Sequence, residues 1–157
     1  MKYSLPEIER RWLVEIDLET AKSLYRVPFT QIEDIYFPET RLRLRKMTAP
    51  DGAVQYKLCK KYGKQTKLTE PITNLYLTEE EYALLAALPG KRVIKRRYKI
   101  EGGSLDVFEL PPDAPAIFEK EFPSEADAVA YMPPVFVVEE ITSDSEQTCA
   151  NLAVLRA

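Results

Sequence analysis

The most constraining feature of this sequence is a set of strand-like segments whose alternate residues carry charges of a single kind. In an extended strand, residues i, i+2 and i+4 share a face. In Arg41-Leu42-Arg43-Leu44-Arg45 three guanidinium groups therefore point one way and two leucines the other. Neighbours on that face lie ~7 Å apart, so the like charges repel. Taken alone, this segment would pass for a solvated outer face. Four other segments repeat the arrangement. Glu7, Glu9 and Arg11 stand opposite Ile8 and Trp12; Lys95, Arg97 and Lys99 opposite Ile94, Tyr98 and Ile100; Glu119 and Glu121 opposite Phe118 and Phe122; Lys57, Cys59 and Lys61 opposite Leu58. Solvated faces usually mix both signs with Ser, Thr and Gln. Same-face charge sets on five strands, four of them of a single sign, point instead to a shared charged cavity, and a closed barrel supplies one, with side chains inside and no free edges.

The rest of the chain fits a mainly β, α+β architecture: an eight-stranded antiparallel closed barrel with short helices packed outside. Strands are expected over Glu7 to Asp17, Gln31 to Phe37, Thr40 to Lys46, Val54 to Tyr62, Ile72 to Leu77, Val93 to Ile100, Gly103 to Glu109 and Ile117 to Phe122. Asp51-Gly52 is a hairpin signal. Helices are expected from Leu18 to Tyr25, from Glu79 to Leu88 behind a Thr78 cap, from the Ser124 cap to Tyr131, and from about Ser145 to Leu155. The 157 residues suit one domain, 1–157, and 45% hydrophobic residues are enough for a core. No apolar run is long enough to span a bilayer and the start lacks a signal-peptide pattern, so a cytoplasmic protein without a membrane partner is expected. Cys59 and Cys149 show no metal spacing and are expected to be reduced.

Composition narrows the chemistry. The chain has no histidine, which excludes Ser-His-Asp and Cys-His machinery and His-ligated zinc. No glycine-rich phosphate loop is present. The net charge of −3 conceals segregation: residues 41–67 and 91–99 hold 15 of the 22 cations, while residues 101–157 hold twelve acids and two bases. Carboxylate pairs without His suit hard divalent cations, Mg²⁺ or Mn²⁺. Rows of Arg and Lys suit phosphate oxygens. The acidic balance and the acidic C-terminal third disfavour nucleic acid as a partner.

These segments resemble the CYTH superfamily, the triphosphate tunnel metalloenzymes. Glu7-Ile8-Glu9-Arg10-Arg11-Trp12-Leu13-Val14 resembles the family's ExExK signature. Leu42-Arg43-Leu44-Arg45, Leu58-Cys59-Lys60-Lys61, Lys95-Arg96-Arg97-Tyr98, Leu105-Asp106-Val107-Phe108 and Phe118-Glu119-Lys120-Glu121-Phe122-Pro123-Ser124 resemble its later strands in order. The resemblance implies a tunnel that binds a triphosphate and a divalent metal. The leading expectation is hydrolysis of inorganic triphosphate. Thiamine triphosphate hydrolysis, class IV adenylate cyclase activity and a non-hydrolysing polyphosphate or nucleotide module remain as alternatives, and a homodimer stays open. By resemblance, Glu7, Glu9 and Arg11 are catalytic. Arg43, Arg45, Lys61, Lys95 and Arg97 grip phosphate. Glu7, Glu9, Glu119 and Glu121 hold Mg²⁺ or Mn²⁺, with Asp106 as a further ligand or a supporting carboxylate. Arg41, Lys57 and Lys99 are undecided between tunnel and solvent. Lys60, Arg96 and Lys120 are expected on the plain surface, and Trp12 and Tyr98 in the core. The sequence departs from the family at Arg11, where the signature has lysine, and at Glu70, which stands alone where a Glu-x-Glu pair is usual. A third departure is Gln147-Thr148-Cys149, in place of a C-terminal Tyr-x-Asn.

Overall fold

The computed structural model describes residues 1–144, 148–152 and 154–155. Alternating segments become strands that close on themselves. The strands are β1 (Leu5–Val14), β2 (Thr30–Tyr36), β3 (Leu42–Thr48), β4 (Val54–Lys61), β5 (Thr69–Leu77), β6 (Lys91–Ile100), β7 (Gly103–Leu110), β8 (Ala116–Glu121), β9 (Val137–Glu140) and β10 (Val154–Leu155). The order β6-β2-β3-β4-β5-β1-β8-β7 returns to β6 through the β6–β7 pairing, giving a closed eight-stranded antiparallel barrel. β1 is shared along its length: residues 5–8 pair with β5, residues 9–14 with β8, and β9 covers the edge at residues 12–14. Four short helices lie on the barrel: α1 (Leu18–Leu24), α2 (Glu79–Ala86), α3 (Glu125–Ala130) and α4 (Cys149–Leu152). Among the described residues no helix is long and apolar enough to cross a membrane.

Local chemistry accounts for the boundaries. Asp17 caps α1 through the Thr20 amide. Thr78 and Glu81 form a reciprocal capping box at α2, and Ser124 caps α3 through the Asp127 amide. Gly52 takes φ +88° in the β3–β4 hairpin, a conformation that strains other residues. α2 packs outside β4, with Tyr82 and Tyr56 ring centroids 4.7 Å apart.

The apolar core lies mostly outside the barrel. Trp12, Val14, Tyr98, Leu105, Ala116 and Phe118 face away from the lumen, under Leu24 of α1 and the segment carrying Tyr131, Phe136 and Val137. A second cluster fills one end of the lumen, where Val93, Phe108 and Ile117 meet Leu13, Ile141 and Cys149. The barrel is thus plugged at that end and charged along its middle.

Three expectations change. The expected helix from Ser145 to Leu155 lies partly outside the described residues, at 145–147 and 153. Within it only Cys149–Leu152 is helical, and Val154–Leu155 instead pairs with the start of β6. β9 is an additional strand, supplied by the edge of β1 that the short β5 pairing leaves open. Arg96 is buried rather than on the plain surface. It faces outward as expected, but Tyr25, Phe29 and Tyr98 close over it, its guanidinium lies 3.9 Å from the Tyr25 ring centroid, and Glu109 pairs with it at 3.1 Å.

Candidate functional site

The register places Glu7, Glu9, Arg11, Arg43, Arg45, Lys61, Lys95, Arg97, Asp106, Glu119 and Glu121 on one continuous inner face. Glu7 lies opposite Glu70, Glu9 opposite Glu121 and Arg11 opposite Glu119. Arg97 lies opposite Asp106, Asp34 opposite Arg45, and Arg45 in turn opposite Lys57. The result is a cavity of about 930 Å³. Its lining carries nine Arg and Lys side chains against five Glu, an excess of four positive charges. Such a lumen favours an anionic ligand carrying several charges.

Two carboxylates sit behind the cations and hold them in place. Asp34 accepts bonds of 2.6 and 2.7 Å from Arg45. Burial opposes its charge, but Arg45 overrides burial and holds the carboxyl down at about 2. Asp106 accepts two 2.7 Å bonds from Arg97 and lies 2.5 Å from Lys95. Burial again opposes the charge, and Lys95 and Arg97 hold it well below the usual carboxylate range. Asp106 therefore spends both oxygens on cations.

On the opposite wall the carboxylates crowd together. Lys61 bonds Glu7 at 2.8 Å and lies 3.7 Å from Glu70. Glu119 is bonded by Arg97 and lies 4.0 Å from Arg11. Burial works against its charge, and Arg97 keeps its pKa below the ordinary value. Glu9 forms no ion pair within 4 Å among the described residues. Burial, then Glu119 and Glu7, raise its carboxyl to about 7. Among the described residues no three Cys, Asp or Glu side chains converge as a metal site would require.

The cations differ in how far they are committed. Arg45, Lys95 and Arg97 are bound to the two supporting aspartates. Arg43 is not: among the described residues its buried Nε has no hydrogen-bond partner. Burial opposes its charge, yet Asp34 and its other neighbours hold its pKa above the usual value. A buried donor left unsatisfied in a polar lumen costs free energy that an anion would recover. Lys57 also lines the cavity, its pKa lowered by burial and then by Arg45 and Arg43. Arg41 lines the rim and donates to the Tyr62 carbonyl. Lys99 is exposed and donates to Ser104 at 3.0 Å. Lys60 is exposed, Lys120 donates to the Gly102 carbonyl at 2.8 Å, and Trp12 and Tyr98 are core residues. Sequence reasoning passed over Asp34. The available signal was its even position on a strand reading Ile32, Asp34, Tyr36, facing the arginine strand.

No protein-family model matches the sequence, and no curated protein matches it. Solved structures do. The crystal structure of the inorganic triphosphatase NE1496 aligns with a TM-score of 0.51 and 21% identity, covering 94% of this chain and 97% of that one. A structure of the hypothetical protein NE1496 gives 0.52 and 21%, covering 96% and 99%. The chain shares the fold of these structures, a closed eight-stranded antiparallel barrel. The likeness runs over nearly the whole of both chains.

Proposed function

We propose that this chain hydrolyses the phosphoanhydride bond of a triphosphate within its tunnel, using Mg²⁺ or Mn²⁺. The observation that carries this reading is Arg43: a buried guanidinium with an unsatisfied donor, in a lumen with excess positive charge, facing a wall of crowded carboxylates. The fold shared with a protein described as an inorganic triphosphatase supports it, and inorganic triphosphate is the simplest substrate consistent with it.

The donor chemistry suits a divalent cation, although among the described residues no three of the carboxylates converge on one point and they would have to draw together to hold it. Glu7, Glu9, Glu119 and Glu121 offer only oxygen, which hard cations prefer. Glu9 carries a charge that its neighbours oppose, and a cation there would relieve that opposition. When bound, the metal supplies charge to offset that developing on the phosphoryl oxygens. The chain's own residues do the rest. Arg43, Arg45, Lys61, Lys95 and Arg97 bind and align the phosphates, with Asp34 and Asp106 fixing three of them. Glu7 and Glu9 hold the attacking water. Arg11 adds a positive charge beside Glu119.

One observation favours a second reading, a module that binds without hydrolysis. Burial opposes the charge on Arg11, but Cys149 and Glu119 hold its pKa above the usual arginine value. It cannot shed a proton as a lysine can. Phosphate release from inorganic triphosphate, with Mg²⁺, with Mn²⁺ and with chelator, separates the two. Release that requires metal supports the hydrolase. Tight binding without release under any metal, unchanged in Arg11→Lys, leaves the binding module.

A further inference from the structure

Four lysines line the lumen: Lys57, Lys61, Lys64 and Lys95. Three of them are committed. Lys61 bonds Glu7 at 2.8 Å, Lys95 lies 2.5 Å from Asp106, and Lys64 donates to the carbonyls of Lys67 and Thr142 at 3.0 Å. Lys57 has neither a hydrogen bond nor an ion pair among the described residues. It stands on β4 with Arg45 directly across on β3, Arg43 on the diagonal, and Tyr76 across on β5. Cys59 follows it on the same face of β4, and Asp34 stands beyond Arg45 on β2. Asp34 is the acid of this group, and both its oxygens are taken by Arg45. Burial, then Arg45 and Arg43, lower the pKa of Lys57, and Cys59 and Asp34 oppose them only in part. Tyr76 lines the same cavity and is 63% exposed, so solvent reaches the wall beside this amine.

An amine pushed toward its neutral form is a weak anion ligand and a good nucleophile. Its chemistry therefore differs in kind from that of the guanidinium groups beside it. Arg43 supplies the complement, a buried donor without a partner in a lumen with surplus positive charge. Diagonal neighbours on adjacent strands lie ~7–8 Å apart, so a short carbon skeleton with a phosphate at one end and a carbonyl at the other reaches both. We propose that Lys57 captures aldehydes that carry a phosphate, as a reversible imine that fills the tunnel. The nitrogen lone pair forms the C–N bond as the carbonyl π pair moves to oxygen, and both amine protons leave with that oxygen as water. Nothing is oxidised or reduced, and water reverses the step. A tunnel so filled is closed to other anions, which makes the adduct an inhibitor of whatever the lumen otherwise binds. The capture rests on the lumen taking anions and not on any turnover there.

The probe is pyridoxal 5′-phosphate, with pyridoxal as the form that lacks the phosphate. Each is added to the whole chain and reduced with borohydride, and the labelled lysine is found by peptide mass spectrometry. The wild type should be labelled first at Lys57, ahead of the exposed Lys60 and the committed Lys61 and Lys95. Pyridoxal 5′-phosphate should label Lys57 on the order of tenfold faster than pyridoxal, which one charge-assisted hydrogen bond supplies at its weaker end. Arg43→Ala should erase most of that preference. Lys57→Gln should lose the fast label altogether, with a melting curve showing each variant folded. Labelling spread evenly over surface lysines, or faster at Lys61 or Lys95, overturns the proposal, and so does equal labelling of Lys57 by the two probes. Inorganic triphosphate should slow the labelling by competition. Fast labelling of Lys57 that triphosphate does not slow would count against the triphosphate reading while the imine site stands.

Discussion

Replacing Asp34 with asparagine keeps the side chain's shape and removes its charge. Asp34 is 1% exposed and Arg45 5%, joined by two short bonds. The variant would leave Arg45 buried against a neutral amide, with Arg43 and Lys95 repelling it. Breaking a buried pair from one side costs about 3–5 kcal/mol. The depressed pKa of Asp34 leads to a similar figure. A carboxyl held at about 2 instead of its usual 3.8 contributes roughly 2–3 kcal/mol. Because the folded value lies below the unfolded one, that contribution is present above about pH 4 and is lost as the pH falls from 4 toward 2. Urea unfolding at pH 7 should therefore show Asp34→Asn about 3 kcal/mol less stable than wild type. The acid limb of its stability between pH 4 and 2 should be flatter. Saturating triphosphate should restore part of the loss, since a ligand at a hundred times its Kd adds about 2.7 kcal/mol. An Asp34→Asn variant as stable as wild type at pH 7, with the same acid limb, would refute the claim that Asp34 holds the cation row together.

Three further outcomes follow from the same geometry. Arg43→Ala should weaken triphosphate binding by about 1.5–3 kcal/mol, the range for a charge-assisted hydrogen bond, read by calorimetry on a variant whose melting curve shows it folded. Glu119→Gln should lose most metal-dependent phosphate release and raise the metal concentration needed for the remainder, read by titrating Mn²⁺ in the release assay. Arg96→Ala should lower stability by about 2 kcal/mol through lost contacts with the Tyr25, Phe29 and Tyr98 rings, yet leave triphosphate affinity unchanged, because Arg96 lies on the outer wall.

The tunnel's inner face was legible because strand alternation sorts residues without reference to partners. Wherever a strand carries charges of one kind on one side, as at Arg43 and Arg45 or Glu119 and Glu121, the face can be assigned from spacing alone. Asp34 escaped because Glu33 stands next to it, so acids fall on both faces of β2 and no single-kind set appears. Arg96 escaped for a different reason. Alternation correctly turned it outward, but whether an outward face meets water depends on what folds over it, here Tyr25, which caps the end of α1, and Phe29, just before β2. β9 is four residues long and follows Pro133-Pro134, too little pattern to separate from a loop. The commitment of Asp106 to Lys95 and Arg97 is a matter of reach between strands, which sequence spacing within one strand does not contain.

The most direct test of the central claim, that the inward charges form one site for a triphosphate and a divalent metal, is a crystal structure with triphosphate and Mn²⁺, using the metal's anomalous signal. Phosphate oxygens should lie within hydrogen-bond distance of Arg43, with a Mn²⁺ peak beside Glu9 and Glu119. An empty lumen with the anion bound on the outer wall, at Lys60 or elsewhere, would contradict it.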